Sequence, residues 1–159
     1  MNNNEILYID YAEAIEVYNS MISNSGGGFA GIRDEGGIRA ALVFVQDDTY
    51  YPDFTAKITY LVFRFCAGHF FFDGNKRIAL TLGAYFLHKN GMNWHACIFM
   101  KHLEAIIYHV AASHIDQELL QRIIKCFIEG IDYDEELKID IAKAMNNGSL
   151  GIQGEDYDG

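Results

Sequence analysis

The sequence predicts an all-α fold, a compact helical bundle around a central helix–loop–helix. Three observations carry this. Apolar residues recur at helical spacing, as in Tyr11, Ile15, Tyr18 and Ile22, and again in the apolar segments Phe54–Cys66 and Ile78–Leu87. Capping residues and stops bracket such segments, with Asp10 and Asp53 before and Gly68, Asn90-Gly91 and Gly130 after. Strand-like composition is limited to residues 43–51 and a short stretch around Trp94. At 159 residues, with half of them apolar, the chain is long enough for one domain with a real core.

In chain order, Ile6–Ile9 is a short apolar lead and Asp10 caps a first helix, Tyr11–Ile22. Residues 23–31 hold three consecutive glycines. They are expected to form a flexible connection and not a phosphate loop, because no strand precedes them and no Gly-Lys-Ser/Thr follows. Asp34 precedes a second helix at about 37–44. The stretch 43–51, with Gln46-Asp47-Asp48 between apolar flanks, fits a short β-hairpin. Pro52 and Asp53 open a third helix, Phe54–Gly68, with Ile58, Val62, Phe65 and Cys66 facing inward. Gly68 is expected to turn the chain into His69. Residues 75–90 form a fourth helix, with Ile78, Leu82, Tyr85 and Phe86 as core candidates. Residues 92–100 read as irregular, and Leu103–Ala112 and Asp116–Ile128 as two more helices. The chain thus divides into a helical domain, 1–130, and an acidic C-terminal extension, 131–159. That extension has eight acidic residues against Lys138 and Lys143, a short amphipathic helix at 137–145, and fraying from Gly148 onward.

A net charge of -10 argues against direct binding to nucleic acid or to an anionic membrane surface. Cys66, Cys97 and Cys126 are widely spaced and odd in number, which fits a reducing cytosol better than a disulfide framework. The N-terminus shows neither the basic nor the apolar region of a signal peptide, and no apolar run is long enough to span a membrane. A cytoplasmic protein is the expectation.

The chemistry concentrates in His69-Phe70-Phe71-Phe72-Asp73-Gly74-Asn75-Lys76-Arg77. A loop that carries Gly-Asn-Lys-Arg onto a helix N-terminus is suited to phosphate, because free N–H groups and the positive dipole end meet there. Asp73 is placed to hold Mg²⁺ against phosphate oxygens. His69 supplies an imidazole, the side chain that most often serves as a general base. The residues alone therefore point to transfer from a nucleotide. His88, His95, His102 and His109 recur every seven residues, but Asn90-Gly91 breaks the helix between the first two. Surface or partly buried roles fit them better than a metal stripe.

The same stretch resembles the motif of the Fic/Doc family, His-x-Phe-x-(Asp/Glu/Asn)-(Gly/Ala)-Asn-(Gly/Lys)-Arg. His69, Phe71, Asp73, Gly74, Asn75, Lys76 and Arg77 all fit it. Gly31-Ile32-Arg33-Asp34-Glu35-Gly36 is similar to a second segment of Doc-like chains, and the resemblance extends over about 9–130. It implies a Fic/Doc-like bundle and a transferase that uses ATP or another nucleoside triphosphate with Mg²⁺. It implies His69 as general base toward a target hydroxyl, Lys76 and Arg77 in the catalytic and phosphate-binding set, Gly74 and Asn75 on phosphate, and Asp73 on the metal. Phe71 would anchor the loop, and Phe72 would face the nucleotide. Residues 43–51 would be a flap that docks the target by strand addition.

Three departures from the AMP-transferring pattern point to the Doc (death-on-curing) toxin branch. They are Lys76 for glycine, Leu80 where a second arginine would stand, and Phe70 for proline. That branch resembles kinases in outcome: it binds the nucleotide in reversed orientation and moves the γ-phosphoryl group to a translation elongation factor. A small antitoxin protein, which lays a helix in the toxin groove, restrains it. AMP or other nucleotidyl transfer is the alternative enzyme, and a catalytically silent partner-binding module is the alternative of another class. The nearest match to the inhibitory helix of Fic proteins, 149–154, has Gln153 in place of the working glutamate and an interrupting glycine, so a solvated acidic tail is expected there.

Overall fold

In a computed structural model, residues 5–25 and 31–152 are described. They form seven helices: α1 Tyr11–Ser25, α2 Glu35–Phe44, α3 Phe54–Ala67, α4 Asn75–Lys89, α5 Asn93–Ala111, α6 Gln117–Glu129 and α7 Glu135–Ile152. No strand occurs among the described residues beyond a single antiparallel bridge, Ile32 to Phe71. The all-α expectation holds.

The bundle is built around α3 and α4. Every residue from Ala56 to Val62 is buried, so α3 is enclosed on all sides, as a central helix must be. Its N-cap Asp53 accepts from Ala56 N–H at 2.8 Å. Helix α4 packs against α3, α5 and α1. Gly83 lets α3 and α5 approach closely, since a Cβ there would overlap the Phe99 ring and lie 2.9 Å from Val62 Cγ2. Behind α4, the Asn90 amide holds the N-terminal lead: Leu7 N–H donates to Oδ1 at 2.8 Å and Nδ2 donates to Leu7 C=O at 3.0 Å. Lys89 and Tyr85 meet Glu13 of α1, at 2.7 and 3.0 Å.

Lys57 is a buried charge with a clear reason to be there. Its Nζ donates to Asp48 Oδ1 at 2.8 Å and to Val45 C=O at 3.2 Å. Burial opposes its charge, but the bonds to Asp48 and Tyr8 outweigh burial and raise its pKa. The side chain ties the segment after α2 to α3.

That segment corrects the first of three sequence expectations. Residues 43–51 do not form a hairpin. Val43 and Phe44 complete α2, Val45 stays in the right-handed helical region, and Asp47 accepts from Thr49 N–H at 2.8 Å in a tight turn. The aromatic residues that suggested a strand pack with one another instead, with the Tyr51 and Tyr60 ring centroids 4.3 Å apart and Phe44 edge-on to both. Second, the stretch 92–100 is helical from Asn93 onward. Helix α5 is continuous from Asn93, because Phe99 enters the core while Trp94 and Cys97 face outward. Third, α1 runs on to Ser25 and α7 to Ile152, past the ends read at Ile22 and Met145. Helix α7 packs on α5 and α6 through buried Leu137 and the 2.6 Å Arg122–Asp140 pair. Residues 26–30 and 153–159 lie outside the described residues, and so do most of the three-glycine connection and the end of the 149–154 stretch. No helix among the described residues is long and apolar enough to cross a membrane.

Candidate active site

Helix α3 ends as Gly68 N–H donates to Arg64 C=O at 2.8 Å. Gly68 itself keeps φ at -77°, so it does not supply the turn. Its lack of a side chain serves packing. A Cβ there would lie 2.5 Å from Arg64 O and 2.7 Å from the Phe70 ring. The turn falls on His69, at φ 51° in the left-handed region that side-chain-bearing residues rarely adopt. A strained, exposed imidazole at a helix end is the kind of conformation that clusters at functional sites.

The next residues anchor the loop. Phe70 and Phe71 are fully buried, while Phe72 is exposed. The Phe70 ring meets Phe65 edge-on and fills the space left by Gly37 and Gly68, joining the start of α2 to the end of α3. Its carbonyl accepts from Arg33 N–H at 2.8 Å and Asp34 N–H at 3.0 Å, and Phe72 N–H donates to Gly31 C=O at 3.1 Å. Residues 31–34 thus run alongside the loop. Phe71 stacks on Tyr18 of α1, with centroids 3.9 Å apart. The expected anchoring role of Phe71 is what its burial and stacking provide.

Asn75 closes the loop on itself. Its Oδ1 accepts from Phe71 N–H at 3.2 Å and its Nδ2 donates to Phe71 C=O at 2.9 Å. Both ends of the amide therefore serve the loop backbone, as Asn90 does at the other end of α4. Gly74, at φ 81°, is the N-cap of α4 and brings no side-chain cap bond. The first N–H groups of a helix have no acceptor within it, and Gly74 has no side chain to cap them.

The sequence-predicted residues converge. His69, Asp73, Gly74, Asn75, Lys76 and Arg77 line one hollow of about 210 Å³, together with Cys66, Phe72 and Ala111. Asp73 Oδ2 and Arg77 Nη2 stand 3.7 Å apart with both side chains about half exposed, a loose pair of small energetic weight. The Cys66 thiol is pushed up to about 11 by burial, against the opposing pull of Lys76, and lies 3.7 Å from Ile107 C=O. It stays protonated and is no nucleophile.

The hollow fits a phosphate chain with Mg²⁺. Its volume is below that of a drug-sized ligand pocket, it ends on a helix N-terminus, and it offers two cations and one carboxylate. Among the described residues no cluster of three His, Cys, Asp or Glu could cage a metal. A single carboxylate instead suits Mg²⁺, which takes its remaining oxygens from phosphate and water. A larger hollow of about 640 Å³ lies between α1, α4 and α5, but its lining has Glu13 and Glu16 and no cation, so it suits a phosphate chain less well than the smaller one.

Three of the other histidines have local hydrogen-bonding partners. His95 Nε2 is 3.0 Å from Ile128 O, and His109 Nδ1 is 3.0 Å from His114 Nδ1. Sequence reasoning missed Tyr18, whose hydroxyl donates to Asp73 C=O at 2.9 Å. Nothing in the local sequence marks it, because the contact joins residues 55 apart.

The sequence model of the Fic/DOC family matches residues 8–87. That span runs from the N-terminal lead through most of α4 and includes the whole loop. Among curated proteins, none matches the chain.

Proposed function

Because the chain belongs to the Fic/DOC family, whose members are typically transferases using a nucleoside triphosphate and Mg²⁺, we propose that it works in the Doc manner. It moves the terminal phosphoryl group of ATP or another nucleoside triphosphate to a hydroxyl side chain of a target protein. The observation that supports this most is the convergence of His69, Asp73, Lys76 and Arg77 on one phosphate-sized hollow at the N-terminus of α4.

His69 takes the proton from the target hydroxyl through a ring nitrogen. The freed oxygen forms a bond to the γ-phosphorus as the bond to the bridging β–γ oxygen breaks, and the nucleoside diphosphate leaves. Lys76 and Arg77, with the N–H groups at the start of α4, hold the phosphoryl oxygens as negative charge shifts among them. Asp73 would hold Mg²⁺, which neutralises charge on the phosphate oxygens. Asn75 acts one step back, keeping the loop in shape through Phe71.

Phosphoryl transfer is favoured over nucleotidyl transfer by Lys76 and Leu80. Lys76 is exposed at the hollow, where a glycine would leave room. Leu80 is buried in the core, so α4 offers no second arginine fork one turn beyond Arg77.

The target, a translation elongation factor in the Doc manner, docks by strand addition along residues 31–33 and not along 43–51. Gly31 C=O and Arg33 N–H face the loop, so the N–H and C=O of Ile32 face the opposite side, and Ile32 itself is exposed. A small antitoxin lays its helix in the larger hollow between α1, α4 and α5. Its setting is the cytoplasm. The division into a catalytic part, 1–130, and an acidic extension belongs to this reading.

Two parallel reactions test the proposal, one with ATP labelled at the γ-phosphorus and one at the α-phosphorus. Label reaching protein only from the γ position is the expected result. Label from the α position would make the chain a nucleotidyl transferase, and label from neither, with no nucleotide binding, would make it a partner-binding module.

A further inference from the structure

We propose that Tyr18 of α1 is a positioning residue that sets the Asp73–Gly74 peptide for phosphate and Mg²⁺; this rests on the reading of the loop as a phosphate site. Tyr18 is about 1% exposed, and its ring stacks on Phe71 at 3.9 Å. A phenylalanine would fill the same space, so packing does not account for the hydroxyl. That hydroxyl donates to Asp73 C=O at 2.9 Å.

The carbonyl it holds belongs to the peptide that enters Gly74, at φ 81°. A glycine at this position accepts either orientation of the preceding peptide at little cost, because no Cβ opposes the flip. C=O and N–H point in opposite directions across a trans peptide. With Asp73 C=O fixed toward Tyr18, the Gly74 N–H is fixed away from it. A flip would turn that donor around, put a carbonyl in its place, and swing the Asp73 backbone that carries the carboxylate.

Helix α1 backs the same corner from its next turn. A Cβ on Gly74 would lie 3.2 Å from Met21 Cε and 3.4 Å from Ile22 Cδ1, and Thr81 Oγ1 is 3.6 Å from Met21 Sδ. One helix outside the motif therefore grips both residues on which the anion and metal geometry depends. Among these contacts, the hydroxyl is the one that selects a peptide orientation. It is worth about one net hydrogen bond, a factor of about five in an equilibrium.

The test is calorimetric titration of Mg²⁺ and ATP into the full chain, its Tyr18→Phe variant and its Tyr51→Phe variant. Tyr51 packs in the ring cluster with Phe44 and Tyr60, away from the loop. The expected result is ATP affinity about fivefold weaker in Tyr18→Phe and half-saturating Mg²⁺ raised by a similar factor, with wild-type values in Tyr51→Phe. Amide exchange at residues 70–75 should quicken in Tyr18→Phe alone while its melting temperature stays close to that of the wild type. Wild-type affinity and Mg²⁺ dependence in Tyr18→Phe would overturn the assignment and leave the phosphate site standing, and so would equal weakening in both variants. A wild-type chain that binds no ATP with Mg²⁺ would overturn the site reading and this one with it.

Discussion

Asn75→Ala separates a residue that touches phosphate from one that shapes the loop. In the structure Asn75 replaces a missing pair of backbone partners for Phe71, accepting at 3.2 Å and donating at 2.9 Å. Phe71 is about 1% exposed, so water does not readily take over both groups. Each bond contributes about 1 kcal/mol net, and a buried group left unpaired costs about 1–3 kcal/mol. The variant should therefore lose about 2–4 kcal/mol of stability with no ligand present. For a domain of this size that lowers the melting temperature by roughly 5–15 °C. Urea unfolding is the assay, read as a shift in midpoint at constant slope. Asn75→Asp should lose at least as much, because it sets a carboxylate oxygen against Phe71 C=O. Ligand-free stability within about 0.5 kcal/mol of wild type in both variants would refute the clamp, since surface changes away from structural features fall in that range.

Three other outcomes follow from the same geometry. His69→Gly should abolish transfer yet raise stability by about 0.5–1 kcal/mol, because glycine accepts the positive φ that histidine strains to hold; a lowered melting temperature would contradict this. Iodoacetamide at mildly alkaline pH should label exposed Cys97 and spare Cys66, whose thiol burial pushes up to about 11; peptide mass mapping that finds Cys66 labelled first would show the hollow to be open to it. His109 has its pKa lowered below 6.5, first by burial and then by the facing His114, so the unfolded chain binds that proton more readily. Its stabilising effect is complete above pH 6.5 and is lost as pH falls through that value, and His109→Gln should flatten the slope of stability against pH in that window; an unchanged slope would count against it.

Much of the site was legible in the sequence because the loop is local. Nine consecutive residues carry the imidazole, the carboxylate and the cations of the candidate site, and a helix start places them together. Helix ends were also legible where a side chain performs the capping, as at Asp34 and Asp53. What was missed depends on contacts between distant segments. Residues 43–51 look like a strand by composition, but their aromatic rings had a cluster to join and no partner strand to pair with. The positive φ belongs to His69 and not to Gly68, which is small for another reason: the Phe70 ring takes the space where its side chain would stand. Asn75 looks like a phosphate ligand by type, yet its amide serves Phe71. Tyr18 is one apolar-face residue among several until the fold brings it to Asp73.

The proposed reaction is transfer of one phosphoryl group with His69 as the base. Intact-mass spectrometry of translation factors from a cell extract, after incubation with the chain, Mg²⁺ and ATP, tests it most directly. The account predicts a gain of a single phosphate on one factor, absent with His69→Ala. A gain of one AMP, or a phosphate gain that persists in His69→Ala, would contradict it.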